Sequence, residues 1–452
     1  MSSPESSKPR PDSDYALHKA VFDNELKTVA KILRHCDTET ISEKDVHGNT
    51  PLHLALMMGH KECATLLLSH NAPVKLKNVL GWSPLAEAVS YGDRSMITAV
   101  LRKLKLQGRE SIQSRKPHLI SVLKSLGDFY LELRWDFHSW IPFLSSMLPS
   151  DICKIHKKNS SIRLDTSLVD FNENRWEHGD ISFIFNAEAA ACESLVILDN
   201  KAKVYQKVQP ELQESESEID QEVDIIMSSD IVNGQMSTKT ISFHRTQTGW
   251  LFRQDRSEMI GDYRADFYAI DGLYLESKKR REHLSSEDVK KNKALIENLR
   301  VGAMASDDEW RRLQNLAHRK SLPPPPKARV TWDDYFNCEP GTYPCLGRPQ
   351  IIKESTKTFK ATVAMSEEFP LSVETLLDVL EIVAPFKHLH KLRSFCKLKL
   401  PPGFPVKIEI PLFPTISAKV TFQKLQFRND ISDSLFRIPR SYREEMSHFP
   451  DL

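Results

Sequence analysis

The spacing of apolar residues divides the chain into a helical first part and a strand-rich remainder. Asp45-Val46-His47-Gly48-Asn49-Thr50-Pro51-Leu52-His53-Leu54-Ala55 runs on to Gly59-His60 and Leu66-Leu67-Leu68. Thirty-three residues later Gly81-Trp82-Ser83-Pro84-Leu85-Ala86-Glu87-Ala88 restates the pattern, with Gly92 matching Gly59. Upstream, Leu17-His18-Lys19-Ala20 echoes Leu52-His53-Leu54-Ala55 at a spacing of 35. A fixed period of this length means stacked copies of one supersecondary unit. Gly48 and Gly81 permit a hairpin turn, and Thr50 or Ser83 caps a helix whose first position is Pro51 or Pro84, where no amide donor is lost. Ala55 and Ala88 let paired helices approach closely. Leu119, Val122, Leu123, Leu126 and Tyr130 keep helical spacing and predict a helical cap over 117–133.

From Trp135 the texture becomes that of strands. Ile181, Phe183 and Phe185 alternate, and Leu195-Val196-Ile197-Leu198, Asp199-Asn200 and Val204/Gln206/Val208 predict a hairpin. Ile241/Phe243 and Trp250/Phe252 predict another around a turn ending at Gly249. The acidic stretch 211–224 is poor in large apolar residues and is expected to be a solvated loop. Lys278 to Lys320 is charged with a helical pattern, and Leu322 to Lys327, with four consecutive prolines, reads as a polyproline linker. Ser372 caps a predicted helix carrying Val373, Leu376, Leu377, Leu380 and Val383, stopped by Pro385. Val406/Ile408/Ile410 and Ile416/Ala418/Val420/Phe422 alternate as strands.

Length and charge refine this picture. The 452 residues suggest about three domains. Lys and Arg number 62 against 61 Asp and Glu, so the formal charge is +1 and no basic excess points to nucleic acid. The seven cysteines are odd in number, scattered and without a CxxC pair, which fits reduced thiols and argues against both a disulfide scaffold and a zinc site. The polar start shows no secretory signal, and no apolar run approaches the ~18 residues of a spanning helix, so any membrane association is expected to be peripheral.

The expected fold class is therefore α+β, an all-α repeat stack followed by a strand-rich α+β region. The expected segments are a disordered tail (1–13), repeats with a helical cap (14–133) and a first strand-rich part (134–275). A charged helix and Pro-rich linker (276–328), a second α+β part (329–442) and a C-terminal tail (443–452) complete the chain.

The period and the Thr-Pro-Leu-His run are the signature of ankyrin repeats, which are binding scaffolds. Hairpin tips and inner helices of such a stack line a concave face, here Val46, His47, Asn49, Met57, Met58, Val79, Leu80, Trp82, Ser90 and Tyr91. Met, Trp and Tyr on that face suggest a partner surface; the alternative is that it packs against the chain's own strand-rich half. His53 is expected to tie neighbouring hairpins. Lys278-Lys279-Arg280-Arg281 fits a nuclear signal or a lipid contact, but Glu276, Glu282, Glu287 and Asp288 around it favour a solvated helix face. Lys320-Ser321-Leu322-Pro323 with Pro326 fits a Lys-x-x-Pro-x-x-Pro ligand (320–326) for a polyproline-binding domain, although a linker without a partner is the plainer reading. His388 and His390, two apart on an expected helix, face different ways, and Cys338 and Cys345 alone do not make a metal site. No phosphate loop, dinucleotide fingerprint, nucleophile elbow or zinc-protease motif occurs, so no catalytic residue, cofactor or metal is assigned and the chain is expected not to be an enzyme.

Beyond the repeats, several stretches carry a more specific resemblance: Trp135-Asp136-Phe137, Asp170-Phe171, Trp176 to Gly179, Thr331-Trp332-Asp333-Asp334-Tyr335-Phe336, and Leu400-Pro401-Pro402-Gly403-Phe404-Pro405-Val406 through Phe413-Pro414-Thr415-Ile416. With them the chain resembles the ankyrin-repeat-domain-thirteen family from about Asp14 to Tyr442, and its receptor-chaperone branch in particular. The main branch carries C-terminal ubiquitin-interacting helices and serves ubiquitinated receptors at the plasma membrane and endosomes. No such pattern follows Arg440-Ser441-Tyr442 here. The resemblance thus implies a chaperone that binds newly made G-protein-coupled receptors through their cytosolic segments. It would sit peripherally on the cytosolic side of the endoplasmic reticulum membrane and regulate receptor folding and exit. Without a nucleotide loop it would be a holdase. An endosomal adaptor for ubiquitinated receptors and a cytosolic scaffold recruiting signalling domains are the alternatives.

Overall fold

The structure, a computed structural model, describes residues 15–139, 148–172, 175–190, 193–208, 216–237, 241–249, 253–301, 319–327, 329–375, 377, 400–413, 416–446 and 448–449. It divides into two compact units, each assembled from separated stretches of chain.

The first unit comprises Met1–Ser111, Glu214–Gly234 and Ser277–Ser355. Its repeats are the helices α1 (Ala16–Phe22), α2 (Leu26–Leu33), α3 (Thr38–Ser42), α4 (Pro51–Met58), α5 (Lys61–Ser69), α6 (Pro84–Tyr91) and the start of α7 (Arg94–Ser125). Pro51 and Pro84 open α4 and α6 as the sequence predicts, and Gly48 and Gly81 take φ of +72° and +88° in the turns before them. Buried His53 links adjacent repeats: its Nδ1 accepts from the Thr50 amide (3.1 Å) and its Nε2 donates to the Trp82 carbonyl (3.1 Å).

Three expectations change here. The helical cap over 117–133 is cut short: α7 ends at Ser125 and Phe129 opens a strand, so Tyr130 lies in a sheet. The expected acidic loop 211–224 contains helix α8 (Glu216–Ser228); the residues before 216 lie outside the described set. Its acidic residues mask an apolar stripe, Ile219, Val223 and Met227, that joins the core of the repeats. In the stretch 276–328 the described residues 277–301 and 319–327 are no free linker either, because they fold with the repeats. Within it, Lys278–Arg281 is no helix face. It closes a strand that ends at Arg280, and its cations meet acids: Lys278 with Glu354 (2.9 Å), Arg280 with Glu87 (2.9 Å) and Arg281 with Asp230 (2.8 Å). Helix α9 (Ser286–Val301) begins only afterwards, and a short α10 (Trp332–Phe336) follows the prolines.

The second unit, Ile112–Gln213, Gln235–Glu276 and Thr356–Leu452, is built on an antiparallel sheet. Its strands in chain order are β1 (Phe129–Ser139), β2 (Ser150–Lys158), β3 (Ser161–Asn172), β4 (Arg175–Asn186), β5 (Leu195–Asp199) and β6 (Val204–Lys207). Then come β7 (Ile231–Ser237), β8 (Ser242–Arg245), β9 (Gln247–Thr248), β10 (Gln254–Asp255), β11 (Ser257–Ile260), β12 (Tyr263–Arg280), β13 (Ile352–Ser366), β14 (Phe404–Phe413), β15 (Ile416–Phe427) and β16 (Arg443–Glu444). They pair in the order β11-β12-β13-β14-β15-β1-β2-β3-β4-β5-β6-β16, with β7 and β8 also on β12, while β9 and β10 form a separate two-stranded sheet. The sequence splits this region in two around the prolines, but β15 pairs along the whole length of β1, from Phe129↔Phe427 to Ser139↔Ile416. Stretches almost three hundred residues apart therefore share one sheet. Residues 443–444, expected in a tail, form β16 in parallel with β6. In a core cluster of this unit Phe369 stacks on Phe404 (ring centroids 4.0 Å apart), and Phe422 meets Phe404 edge-on at 4.9 Å. The predicted Trp250/Phe252 strand, most of the helix after Ser372, His388 and His390, and the tail 1–13 lie outside the described residues.

Candidate interaction face of the repeat unit

The concave face begins as a polar ladder. Asp45 Oδ1 accepts the amides of His47 and Asn49 (2.9 Å each), and one period later Asn78 Oδ1 accepts the amide of Trp82 (2.9 Å). Asn78 Nδ2 donates to Asn49 Oδ1 (2.9 Å), which joins the two loops. Asx side chains hold such turns because their short carboxyl or amide reaches backbone amides two to four residues on.

The ladder is capped by residues far along the chain. Helix α10 starts at a capping box: Asp334 accepts the Thr331 amide (3.0 Å), and Thr331 Oγ1 accepts the Asp334 amide (3.2 Å). Trp332 and Tyr335, one turn apart, are buried with ring centroids 5.5 Å from Phe22. Tyr335 Oη donates to Asp45 (2.5 Å) and accepts from Asn49 Nδ2 (2.9 Å). Burial and the nearby Asp45 carboxylate raise the Tyr335 phenol, so it stays protonated and donating. His47 bridges the same segment, donating from Nε2 to the Tyr335 carbonyl (2.8 Å) and accepting the Gly341 amide at Nδ1 (3.1 Å).

Beside it lies a buried charge cluster. Arg280 donates to Glu87 (2.9 Å) and Glu282 (2.7 Å) and stands 5.0 Å from the Trp82 ring, while Ser90 Oγ donates to Glu282 (2.6 Å). Desolvation raises the Glu87 carboxyl although Arg280 opposes the shift; Glu282 is held low by Arg280 and the Ser90 hydroxyl despite its own burial. Arg348 closes the row by donating to the carbonyls of Ser90 and Tyr91 (3.1 Å each).

The expectation of an exposed Met, Trp and Tyr patch is thus corrected. His47, Asn49, Met57, Trp82 and Ser90 are buried; Val46, Met58, Leu80 and Tyr91 are partly so, and Val79 is 57% exposed. The cover comes from Arg280, Glu282 and residues 332–348 of the same unit. What stays open is a cavity of about 260 Å³ lined by Met57, Leu80, Tyr91, Tyr343, Leu346 and Ile352, with Arg280, Glu87 and Ser90 on its polar side. Ile351, beside it in sequence, is 62% exposed. Tyr335, Arg280 and Glu282 were not singled out by the sequence as site residues. Two signals point to them: Glu87 stands where the preceding repeat has Leu54, and Trp332/Tyr335 form an amphipathic turn that needs an apolar surface.

Among the described residues no cluster of His, Cys, Asp or Glu could hold a metal ion, and no helix is long and apolar enough to cross a membrane. Cys36, Cys63, Cys153, Cys338 and Cys345 are free thiols.

Comparison with known proteins adds identity to this geometry. A family described as ANKRD13 C-terminal matches residues 163–448, and one described as Ankyrin repeats (3 copies) matches 12–109. The chain is 57% identical over 438 residues to ankyrin repeat domain-containing protein 13C of Homo sapiens, covering 97% of this chain and 79% of that protein. To the same protein of Mus musculus it is 58% identical over 439 residues, with the same coverage. To ankyrin repeat domain-containing protein 13B of Mus musculus it is 34% identical over 427 residues, covering 92% and 68%.

Proposed function

Because the chain belongs to the ANKRD13 family, in its C branch, we propose that its protein-binding role is that of a non-enzymatic holdase for newly made G-protein-coupled receptors. It acts on their cytosolic segments from the cytosolic side of the endoplasmic reticulum membrane, to which it attaches peripherally. The ankyrin repeats support a role in binding proteins. The carrying observation is the open cavity, whose wall joins Leu80, Tyr91, Leu346 and Ile352 to a buried polar cluster. An apolar side chain displayed by an unfinished receptor segment fits such a site, and release follows when folding withdraws that side chain. No nucleotide cycle is needed: differential affinity for the unfinished state is enough.

The burial of Trp82 decides the test, because replacing it would damage the core. Leu80→Asp with Ile352→Asp charges the cavity wall instead. Co-precipitation of receptor cytosolic tails with the full chain should fall sharply in this double variant, whose circular dichroism melt should match the parent. Unchanged capture by a folded double variant would remove the cavity from the account. Proximity labelling in living cells tests the location: enrichment of early-secretory membrane proteins is expected, and enrichment of endosomal ubiquitin machinery would favour an adaptor instead.

A further inference from the structure

One face of the sheet in the second unit gathers cations with few acids to meet them. Residues directly opposite each other in antiparallel strands share a face. Arg134 on β1 and Lys407 on β14 both stand opposite Thr421 of β15, and Asp136 and Glu409 both stand opposite Lys419. Val406 and Ile408, which alternate with Lys407, are buried on the other side.

The hairpin of β11 and β12 closes this patch along one edge. Gly261 takes φ of +57° in its turn, and the Gln423 carbonyl leaves no room for a Cβ there. The Asp262 amide donates to that carbonyl (3.2 Å), while Tyr263 Oη donates to the Leu425 carbonyl and accepts the Leu425 amide (2.8 Å each). The turn is thereby pinned to β15, and Met259 projects beside it, 63% exposed. Between hairpin and strands lies a cavity of about 370 Å³ lined by Arg134, Lys407, Lys419, Thr421, Gln423 and Met259, with Asp136 as the one carboxylate among its described lining residues. Asp136 is shared loosely, 3.7 Å from Arg134 and 3.9 Å from Lys419. Lys407 has no ion pair among the described residues and stands 5.6 Å from the Phe267 ring centroid. Neighbouring acids are engaged: Glu258 pairs with Arg256 (2.6 Å), and Glu409 lies 3.7 Å from His138. On the hairpin tip Asp262 and Arg264 offset each other in charge.

We propose that this cavity binds the phosphorylated headgroup of a phosphoinositide in a membrane. A phosphomonoester carries about −1.5 to −2 charges at neutral pH, and the three cations of the lining exceed its carboxylate by two. Exposed Arg134 offers a planar fork to the phosphate oxygens, and Lys407 and Lys419 act as point charges. Thr421 and Gln423 supply hydrogen bonds for the ring hydroxyls, and Met259 at the rim enters the boundary between headgroups and acyl chains. The inference rests on the peripheral membrane attachment of the proposed function and gives it a site, using none of the residues of the receptor cavity.

The experiment is co-sedimentation of the purified full chain with phosphatidylcholine vesicles containing a few per cent of phosphatidylinositol monophosphate. Vesicles brought to the same surface charge with phosphatidylserine serve as the reference. The phosphoinositide vesicles should be preferred. Lys407→Gln with Lys419→Gln should weaken that binding by about 25-fold, about fivefold for each cation. Met259→Ser, an exposed position whose change does not disturb folding, should weaken it by about fivefold. Exposed Lys320→Gln with Lys327→Gln should leave it unchanged within about twofold. Melting curves of all variants should match the parent. Equal binding to the phosphatidylserine vesicles, an equal loss in the Lys320 and Lys327 pair, or capture of free inositol phosphate without vesicle binding would each overturn the proposal. So would binding to no vesicle; receptor tails still co-precipitating in that case would leave the holdase reading standing while the headgroup site falls.

Discussion

His53 shows how one side chain ties the stability of the repeats to pH. Its Nδ1 accepts the Thr50 amide while its Nε2–H serves the Trp82 carbonyl, so only the neutral ring satisfies both. Burial, the dominant cause, lowers its pKa to about 4. A base with a lowered folded pKa binds fewer protons folded than unfolded. Its contribution is complete above about pH 6.5 and is lost as pH falls from there towards 4, at most about 3 kcal/mol. Burial lowers His18, His60 and His283 as well, with the same sign. Protection factors of α4–α6 amides, taken against intrinsic exchange at each pH, should therefore fall between pH 7 and pH 5, and His53→Gln should flatten that dependence. Arg280 is the second decisive residue. It is 1% exposed between two buried carboxylates, so Arg280→Met strands both charges and should cost about 3–5 kcal/mol in denaturant titration. A conservative change at exposed Lys320, by contrast, should leave stability unaltered.

Among elements, the repeat helices were the most legible and their cover the least. Thr50-Pro51 and Ser83-Pro84 announce α4 and α6 through local chemistry, capping and proline geometry, which acts within a few residues. The partner of Asn49 is Tyr335, 286 residues away, and no local pattern encodes such a pairing. Helix α8 was missed for a related reason: its Glu-rich outer face dominates the composition, and only the spacing of Ile219, Val223 and Met227 shows the buried side. The candidate face followed the same division. Its residues were nameable from the repeat, whereas their burial depended on a distant segment. Gly347 provides the test at this scale. A Cβ there would lie 2.3 Å from the Met57 carbonyl oxygen, with backbone on both sides of the clash. Gly347→Ala should lift the 341–350 segment from α4, seen as faster hydrogen exchange in that segment with α5 unchanged.

For the whole molecule, the near-neutral charge conceals extensive pairing rather than an absence of electrostatics. Lys278, Arg280 and Arg281 look like a basic patch in the sequence, yet each meets a carboxylate. The domain expectation failed because sequence order is not spatial order: the first unit draws on three stretches of chain and the second on three others. It follows that a fragment of residues 15–125 is incomplete. Without Tyr335 and Arg280 it exposes Trp82, Asn49 and Glu87, and it should melt well below the intact chain and bind a hydrophobic dye. Supplying 277–355 in trans should raise its melting temperature, and a fragment as stable as the full chain would show that the cover adds nothing.

The long return from Asn49 to Tyr335 also has a meaning in time. At ~5–20 residues per second, synthesis leaves the groove uncovered for about 15–60 s after Asn49 is made. During that interval the nascent repeats display the same apolar and charged residues that the finished protein keeps out of water. A protein proposed to shelter unfinished receptors must first be sheltered itself, and its own birth on the ribosome is the moment at which it most resembles a client.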